Sequence, residues 1–370
     1  MNKKRILIVC RGFYPDNSPR AHRATELAKE FAVQGHEVVV LTPIKKEHAE
    51  FSKRHNFHIR DMGILHWKTP DFGKSKIGYL VTRMAVRFLQ LSVEYPDIEL
   101  MFKVKEAVRK EKGYDLLISI AVPYPIHWGV AKAMGSKQSI SKTWIADCGD
   151  PYVGDKTDTF RKWFYFKYVE KWFMRKTNYI TIPIKNAMEG YFSEFHQKIH
   201  IIPQGFKIRE ISNEDNYQPN SIPSFAYAGG FIPGMRDPGT FLEFLTELKV
   251  DFRFYVYTRD RSILDPFVSK LNGKLIISDY IPRAELLIKL AKMDFLINFD
   301  NNTLVQLPSK LIDYIIVNRP VLNIKKTLDE DVIRQFLKGQ YYNAMKMDDV
   351  DQYRIENVCH KFLSLSNEQK

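Results

Sequence analysis

Short apolar runs alternate with amphipathic stretches along most of this 370-residue chain. The first run, Arg5–Cys10, precedes a loop and then apolar residues at helical spacing through residues 20–34. Gly35 follows this predicted helix, and residues 36–42 form the next apolar run. This order predicts a strand, a helix and a second strand parallel to the first.

The same alternation continues in two series. Further buried strands are predicted at residues 116–120, 143–148 and 179–183, and in a second series at 225–229, 252–258, 274–278, 295–300 and 320–324, with a helical pattern at 285–292. We therefore predict an α/β fold of two Rossmann-like, doubly wound domains that face each other across a cleft.

A polar segment with two prolines, residues 207–224, separates the two series. The predicted division is a first domain at 1–206, a linker at 207–224, a second domain at 225–347 and a helical tail at 348–370. The sequence leaves open whether this tail packs back on the first domain.

Composition and charge narrow the class of protein. The chain is 45% hydrophobic and 27% charged, which is typical of a globular protein. Charges interrupt every apolar run well before the about 20 residues that a membrane-spanning helix needs, and the first run stops at Arg11, so we expect a strand there, no signal peptide and a cytoplasmic protein. The net charge of +13 indicates an anionic partner, either nucleotide phosphates, a lipid surface or nucleic acid.

The sequence lacks the common motifs for a metal or a dinucleotide cofactor. The three cysteines, Cys10, Cys148 and Cys359, lack the spacing of a zinc site or a disulfide framework. The first strand is followed by a single glycine, Gly12, rather than by the G-x-G-x-x-G fingerprint of a dinucleotide site. We therefore predict no cofactor, no metal and no NAD chemistry. Nucleic-acid binding is set aside because no recognised motif accompanies the charge.

Candidate residues of the first domain lie where predicted strands end. The loop after the first strand carries Gly12, Tyr14, Asp16 and Arg20, which we assign to the side of the site that binds the acceptor, the substrate whose hydroxyl reacts. An ordinary turn before a proline-capped helix explains the same residues. His127 opens a helix after the strand at 116–120 and is a candidate for hydrogen bonds to sugar hydroxyls.

Asp150 follows the strand at 143–148 and is a candidate to accept a proton from an acceptor hydroxyl, or to orient that hydroxyl. The alternative interpretation is that Asp150 only caps the turn before Pro151.

In the second domain, Gly229 and Gly230 begin a flexible loop that Arg236 closes, and a forked guanidinium suits a diphosphate. Ser309 and Lys310 begin a helix where phosphate can bind, and Asp313 lies one turn further on, within reach of a ribose diol. Lysine and aspartate at this spacing also occur on ordinary solvated helices.

Two segments mix aromatic residues with cations, residues 160–176 and 74–87. Each is predicted to be helical, and the sequence leaves two interpretations open: an apolar face that packs into the core, or one that lies in a membrane interface.

The chain resembles the GT-B glycosyltransferases, and among them family four, over nearly its whole length. Five segments in a fixed order carry this resemblance. They are Phe13-Tyr14-Pro15 followed by Arg23–Ala28 and Gly35–Val38, then Tyr114–Ser119, Asp147–Pro151, Ile202–Phe206, and Pro308–Tyr314 with Asn318–Pro320.

The resemblance implies a retaining, metal-independent sugar transfer from a nucleotide-diphosphate sugar to a glycan or lipid-linked acceptor in surface polysaccharide synthesis. It places Arg236 and Lys310 on the diphosphate, Asp313 on the ribose, His127 near the donor sugar and Asp150 toward the acceptor. It also implies a cytoplasmic enzyme, in which peripheral contact with the inner face of the membrane is one of the open interpretations above.

One position departs from the family. Its E-x7-E pair requires an acid eight residues before Asp313, where this chain has Val305, with Gln306 beside it. Gln306 is a candidate to hydrogen-bond the donor sugar instead. Two alternatives therefore stay open: a non-catalytic GT-B protein that binds a nucleotide sugar or acts as a scaffold, and a sugar-nucleotide epimerase of the same architecture.

Overall fold

The computed structural model describes residues 2–73, 75–135, 139–155, 161–208, 217–234, 236–300, 309–346 and 349–367. These residues belong to two compact units, one of Met1–Lys207 with Asp351–Lys370 and the other of Ile208–Val350. Each unit has its own parallel sheet, with a hydrophobic core against each face. The predicted fold class, α/β with two doubly wound sheets, is confirmed.

Unit 1 contains a seven-stranded sheet. Its strands are β1 (Arg5–Cys10), β2 (Glu37–Thr42), β3 (His58–Asp61), β4 (Tyr114–Ile120), β5 (Ser141–Asp147), β6 (Tyr179–Ile182) and β7 (Ile199–Ile201). The strand order is β3-β2-β1-β4-β5-β6-β7, with every pair parallel. The central strands are buried on both faces, as their continuous apolar runs predict.

Helices cover both faces of this sheet. They are α1 (Pro19–Val33), α2 (His48–His55), α3 (Lys76–Val93), α4 (Glu99–Val108), α5 (Pro125–Ala133) and α6 (Phe166–Lys176). Helix α1 begins where the sequence predicts because Ser18 caps it, its hydroxyl accepting a hydrogen bond from the Ala21 amide at 3.2 Å, and Pro19 occupies the first turn.

Unit 2 has a five-stranded parallel sheet in the order β10-β9-β8-β11-β12. Its strands are β8 (Ser224–Ala228), β9 (Arg253–Tyr257), β10 (Leu275–Ser278), β11 (Phe295–Phe299) and β12 (Val321–Ile324). Its helices are α7 (Gly239–Glu247), α8 (Asp265–Val268), α9 (Arg283–Ala291), α10 (Ser309–Val317) and α11 (Glu330–Leu337).

The C-terminal helix, α12 (Ile355–Leu365), belongs to unit 1. Val358 and Phe362 join the core beneath β1, and the Lys207 ammonium pairs with the carboxylates of Glu30 and Glu356. The backbones at Phe206 and Arg354 also pair as a parallel bridge. The helical tail therefore packs on the unit to which β1 belongs.

Part of the segment that reads as a linker packs within unit 2. The Asp294 carboxylate accepts hydrogen bonds from the Tyr217 hydroxyl, from the Asn220 amide at 3.0 Å and from the Ser224 amide at 2.7 Å. Residues 217–223 are thus fixed ahead of β8 by one buried carboxylate.

The basic aromatic segment at 160–176 differs from its prediction as a single helix. Helix α6 begins at Phe166, and residues 161–165 lie outside it. Among the helices that the structure describes, none combines the length and the apolarity needed to cross a bilayer.

Candidate functional site

The switch point of each sheet is where ligands bind in doubly wound folds, since the chain connections there diverge. In unit 1 this point lies between β1 and β4, and a cavity of about 450 Å³ opens beside the loops that follow these two strands. Its lining residues are Arg11, Gly12, Asp16, Asn17, Ser18, Arg20, Asp97, Val122 and Pro123.

A buried cluster of one carboxylate and two guanidiniums supports this cavity. The Arg20 guanidinium donates to the Asp147 carboxylate at 2.6 Å and to the carbonyl oxygen of Ala121. The Arg23 guanidinium, which is fully buried, donates to the other carboxylate oxygen of Asp147 at 2.8 Å. Burial raises the pKa of Asp147, but the two guanidiniums outweigh it and hold the pKa below its usual value. Asp147 therefore holds the Arg20 guanidinium in place at the cavity wall.

Paired charges line the rest of the cavity. The Arg11 guanidinium donates to the Asp97 carboxylate at 2.5 Å, and Lys45 pairs with Asp16. Burial raises the pKa of Asp97, although Arg11 opposes the rise. Such a wall of paired cations and carboxylates offers both donors and acceptors to a polyhydroxylated ligand.

The structure brings three of the four acceptor-side candidates together. Gly12, Asp16 and Arg20 line the cavity, whereas Tyr14 does not. The Tyr14 ring stacks on Phe51, with 4.0 Å between ring centroids, and its carbonyl oxygen contacts the His48 imidazole. Tyr14 therefore packs the loop after β1 against α2.

His127 lies inside the core of unit 1 rather than at a surface. Its imidazole is fully buried, with Nδ1 2.8 Å from the Ser119 hydroxyl, Nε2 3.5 Å from the Cys148 thiol, and its ring stacked on Phe173. Burial lowers its pKa to about 3, so the ring is neutral. Both ring nitrogens have partners inside the unit, and direct contact with a sugar requires the side chain to change position.

Asp150 is exposed beyond the end of β5. Its carbonyl oxygen accepts a hydrogen bond from the Tyr124 hydroxyl at 2.7 Å, which ties the loop after β5 to the loop after β4. The neighbouring Gly149 lies against Arg20, since a Cβ there would sit 3.6 Å from Arg20 Cδ. Asp150 is therefore close in the chain to the Arg20 cluster, although it does not line the cavity.

In unit 2 the switch point lies between β8 and β11. The loop after β8 starts at Gly229, whose amide donates to the Tyr257 carbonyl at 3.0 Å. Apart from the adjacent residues of the chain, no atom of the described structure lies within 4 Å of the place where a side chain on Gly230 would begin. Gly234 has a φ of +74°, a conformation that favours glycine. The loop thus leaves open space at the carboxyl end of β8.

Arg236 closes this loop as predicted from the sequence, its carbonyl oxygen accepting from the Ile232 amide at 3.2 Å. Its guanidinium makes no ion pair within the part of the chain that the structure describes. Burial raises the pKa of Tyr227 to about 12, and Arg236 opposes that rise, which indicates that the cation lies near the end of β8. An unpaired cation at a switch point suits an anionic ligand.

Helix α10 supplies the other side of this switch point. Its first turn contains Ser309 and Lys310, whose side chains lie outside the described part of the structure, as does the whole of Gln306. The Asp313 carboxylate accepts from the Arg283 guanidinium at 2.7 Å. Burial raises the pKa of Asp313 even though Arg283 lowers it. One carboxylate oxygen of Asp313 is thus already engaged.

Tyr314 fixes the position of α10 over the sheet. Its buried hydroxyl donates to the Ile297 carbonyl on β11 at 3.0 Å and accepts from the Ala228 amide on β8 at 3.1 Å. The helix carrying Lys310 and Asp313 is therefore tied to the two strands that flank the switch point.

Sequence reasoning missed several residues of these two regions. Arg11 was missed although it directly follows β1, next to Gly12. Asp97 and Arg283 were missed because their partners, Arg11 and Asp313, are distant in the chain. Asp147 belongs to the segment Asp147–Pro151 of the family resemblance, but the sequence assigns no role to its carboxylate. Its signal was a carboxylate directly after the buried run Trp144–Ala146, where an unpaired charge is uncommon. Among the described residues, no three His, Cys, Asp or Glu side chains are grouped as around a metal ion.

Comparisons with known proteins identify the fold. The chain matches no protein-family model, and no curated protein matches it. A glycosyltransferase from Rickettsia africae ESF-5 is 12% identical, with a TM-score of 0.58 over 100% of this chain and 99% of that one. The lipopolysaccharide outer core galactosyltransferase WaaB, in its apo form, is 11% identical, with a TM-score of 0.58 over 98% of each chain.

HepE from Anabaena, in complex with UDP-glucose, is 8% identical, with a TM-score of 0.55 over 99% of this chain and 100% of that one. These neighbours are GT-B glycosyltransferases, and at such low identity the likeness shows the fold. This chain therefore has the GT-B glycosyltransferase fold, whereas its membership of family four stays a prediction.

Proposed function

We propose that this protein is a retaining glycosyltransferase that transfers a sugar from a nucleoside-diphosphate sugar to a glycan or lipid-linked acceptor in surface polysaccharide synthesis. The observation that carries the proposal is a polar region at the switch point of each sheet. In unit 1 it is a cavity walled by Arg20, and in unit 2 it is a glycine loop closed by Arg236, whose guanidinium has no ion-pair partner among the described residues. The neighbours support the donor class, since HepE binds UDP-glucose, and WaaB, by name a lipopolysaccharide galactosyltransferase, supports the acceptor class.

Unit 2 is the donor side in this proposal. Arg236 and Lys310 hold the diphosphate, the open loop at Gly229 and Gly230 admits it, and Ser309 at the start of α10 donates to phosphate. Asp313 accepts a hydrogen bond from a ribose hydroxyl at Oδ2, since the Arg283 guanidinium donates to Oδ1. Gln306 contacts the donor sugar in place of the family's acid.

Unit 1 is the acceptor side. Gly12, Asp16 and Arg20 receive the acceptor's hydroxyls in the cavity, and Asp150 orients the reacting hydroxyl from the end of β5. His127 acts from inside the core, where its neutral ring positions the helix start of α5 behind the loop at Val122 and Pro123.

The reaction is a front-face displacement. The bond between the anomeric carbon and the leaving diphosphate oxygen breaks, and the acceptor's hydroxyl oxygen bonds to that carbon on the same face. The acceptor's proton passes to an oxygen of the leaving diphosphate, so the products are a glycoside and a nucleoside diphosphate. Arg236 and Lys310 stabilise the charge that develops on the leaving group, which is the largest contribution of the protein. No metal enters the proposed step, and the rate is expected to be unchanged by EDTA.

The test is donor hydrolysis and transfer by the purified full chain. A thermal-shift screen with UDP, GDP, ADP and dTDP first identifies the base, because a ligand that binds the folded state raises Tm. The matching sugar nucleotides are then assayed for release of the nucleoside diphosphate. Lys310→Ala and Arg236→Ala are each expected to lower turnover about 100-fold or more with the fold intact. Lys249→Ala, which removes an exposed lysine of unit 2 outside the site, is the matched control.

The same assay separates the alternatives. Nucleotide binding without hydrolysis or transfer would establish a non-catalytic binding protein, and conversion of the sugar without an acceptor would establish an epimerase. Either outcome overturns the proposal, as does near-normal turnover of Lys310→Ala.

A further inference from the structure

Helix α3 of unit 1 leaves its apolar side uncovered. Only Gly78 and Ser92 are buried along its eighteen residues. Ile77, Leu80, Met84 and Phe88 are 77%, 56%, 65% and 58% exposed. Contiguous exposed apolar patches on a folded protein mark surfaces that bind another protein or a membrane.

These exposed residues lie on one side of the helix. Ile77, Leu80, Val81, Met84 and Phe88 recur at intervals of three and four residues, so at 3.6 residues per turn they form a single stripe. An apolar stripe that faces outward rather than inward is the arrangement of a helix lying in an interface.

Cations run along one edge of the stripe. Lys76, Arg83 and Arg87 recur at helical spacing, and α3 contains no acidic residue. The exposed Arg83 guanidinium lies over the Tyr79 ring, 5.8 Å from its centroid, so an aromatic ring lies beside a cation on this helix. This charge is complementary to an anionic lipid surface.

Aromatic residues extend the patch beyond α3. The exposed Trp163 meets Phe88 edge to face, with 5.9 Å between ring centroids, and the exposed Phe164 follows it in the chain. Tryptophan is favoured at the boundary between lipid and water. Helix α6, in contrast, buries Phe166 and Phe173 in the core. The outward-facing parts of the two basic aromatic segments are thus α3 in one and residues 161–165 in the other.

The C-terminal end of α3 lies close to the cavity of unit 1. Asp97, which lines the cavity with its partner Arg11, comes four residues after the last residue of α3. Four residues of extended chain span at most about 14 Å. The end of α3 is therefore within about 14 Å of a residue of the cavity wall, and under the proposed function a lipid-linked acceptor held in a bilayer at α3 would extend its head group toward the cavity.

We propose that the exposed face of α3, together with Trp163 and Phe164, binds the surface of an anionic lipid bilayer. The inference rests on the proposed function only for the identity of the acceptor, since binding to lipid requires no donor. A second copy of this chain fits the face less well. A symmetric dimer through α3 would bring the cations of the two copies together, which is unfavourable without acidic partners.

The test is sedimentation of the full chain with vesicles, in the absence of nucleotide. Binding is expected to vesicles of equimolar phosphatidylcholine and phosphatidylglycerol, to be weak with phosphatidylcholine alone, and to fall as salt rises. The triple variant Ile77→Ser, Leu80→Ser, Met84→Ser is expected to reduce the partition coefficient about tenfold or more. The control is Val33→Ser, Val250→Ser, Tyr342→Ser, which removes three exposed apolar side chains elsewhere and is expected to bind normally.

The charge component has its own variant. Lys76→Gln with Arg83→Gln is expected to weaken binding to the anionic vesicles about tenfold and to leave binding to phosphatidylcholine unchanged. Circular dichroism and release of nucleoside diphosphate from the donor in solution are expected to match the unaltered protein for all three variants.

Three outcomes overturn the inference. They are no vesicle binding by the unaltered chain, equal loss in the control triple variant, or a vesicle-free dimer that light scattering shows to dissociate in the α3 triple variant. Because donor hydrolysis is measured without vesicles, failure of lipid binding leaves the proposed function intact, and the reverse also holds.

Discussion

Asp147 shows how one residue joins the core of unit 1 to its ligand region. Its carboxylate receives two guanidiniums, Arg23 inside the protein and Arg20 at the cavity, and also the Thr181 hydroxyl at 2.7 Å. The Arg23 guanidinium also lies 5.2 Å from the centroid of the Phe362 ring on α12. The same carboxylate therefore neutralises the buried Arg23 and orients Arg20, which can bind a ligand in the cavity.

Asp147→Asn is expected to destabilise the protein strongly. The amide has nearly the same shape but leaves the buried Arg23 without a counter-charge, which typically costs about 3–5 kcal/mol. The measurement is the free energy of unfolding in urea. Asp115→Asn, which breaks the exposed pair with Lys142, is the control and is expected to cost about 1 kcal/mol or less. Equal losses in the two variants would contradict this account.

Glu170 gives a pH dependence to the stability of unit 1. It lies fully buried on α6, its Oε1 has no hydrogen-bond partner in the described structure, and burial raises its pKa from 4.5 to about 7. Because the folded state holds the proton more tightly than the unfolded state, its contribution to stability is complete below pH 4.5 and is lost as pH rises through about 7.

Glu170→Gln is expected to remove that dependence, since glutamine resembles the protonated side chain. We subtract the free energy of unfolding of the unaltered protein from that of the variant at each pH. This difference is expected to increase by an amount on the order of 3 kcal/mol between pH 5 and pH 8. Glu243→Gln, at an exposed position, serves as the control. A pH profile that is parallel for Glu170→Gln and the unaltered protein would refute the interpretation.

At the scale of elements, the central strands of both sheets were predictable, whereas the edge strands of unit 1, β3 and β7, were not. β1 and β4 are continuous apolar runs because parallel strands in the middle of the sheet are covered on both faces. β3 (HIRD) is largely polar, and β7 (IHI) is only three residues long, so pairing with a neighbour rather than local pattern makes them strands.

The residues of the two candidate ligand regions were also predictable only where the local sequence locates them. Residues that follow a central strand, such as Gly12, Arg20 and Arg236, were predictable because the end of the strand locates them. Asp97 and Arg283 were not, because the contacts that bring them in, to Arg11 and to Asp313, join positions 86 and 30 residues apart. The inward position of His127 also depends on Ser119 and Phe173, which its own helix pattern does not specify.

Helix α10 provides an element-scale prediction. Tyr314→Phe removes the hydroxyl that joins α10 to β8 and β11, and it leaves the Ala228 amide unpaired in the interior. We expect a loss of about 1–3 kcal/mol in unfolding free energy. Because Lys310 and Asp313 lie on the same helix, we also expect weaker binding of the nucleoside diphosphate in titration calorimetry. Tyr342→Phe, at an exposed tyrosine, should change neither quantity.

At the scale of the whole molecule, the chain is two folding units with separate cores. Unit 1 is completed by α12, which the chain supplies only after all of unit 2. Two units with independent hydrophobic cores are expected to unfold in two calorimetric transitions rather than one.

Nucleoside diphosphate is expected to raise only one of these two transitions. A ligand at 100 times its Kd adds about 2.7 kcal/mol to the unit that binds it, and the proposal assigns the diphosphate to unit 2. Differential scanning calorimetry of the full chain with the nucleotide chosen by the thermal-shift screen measures the shift. Glu170→Gln assigns the transitions, because its pH-dependent effect belongs to unit 1. If nucleotide moves the transition that Glu170→Gln also moves, the donor binds the first unit and the assignment of Arg236 and Lys310 to the diphosphate is wrong.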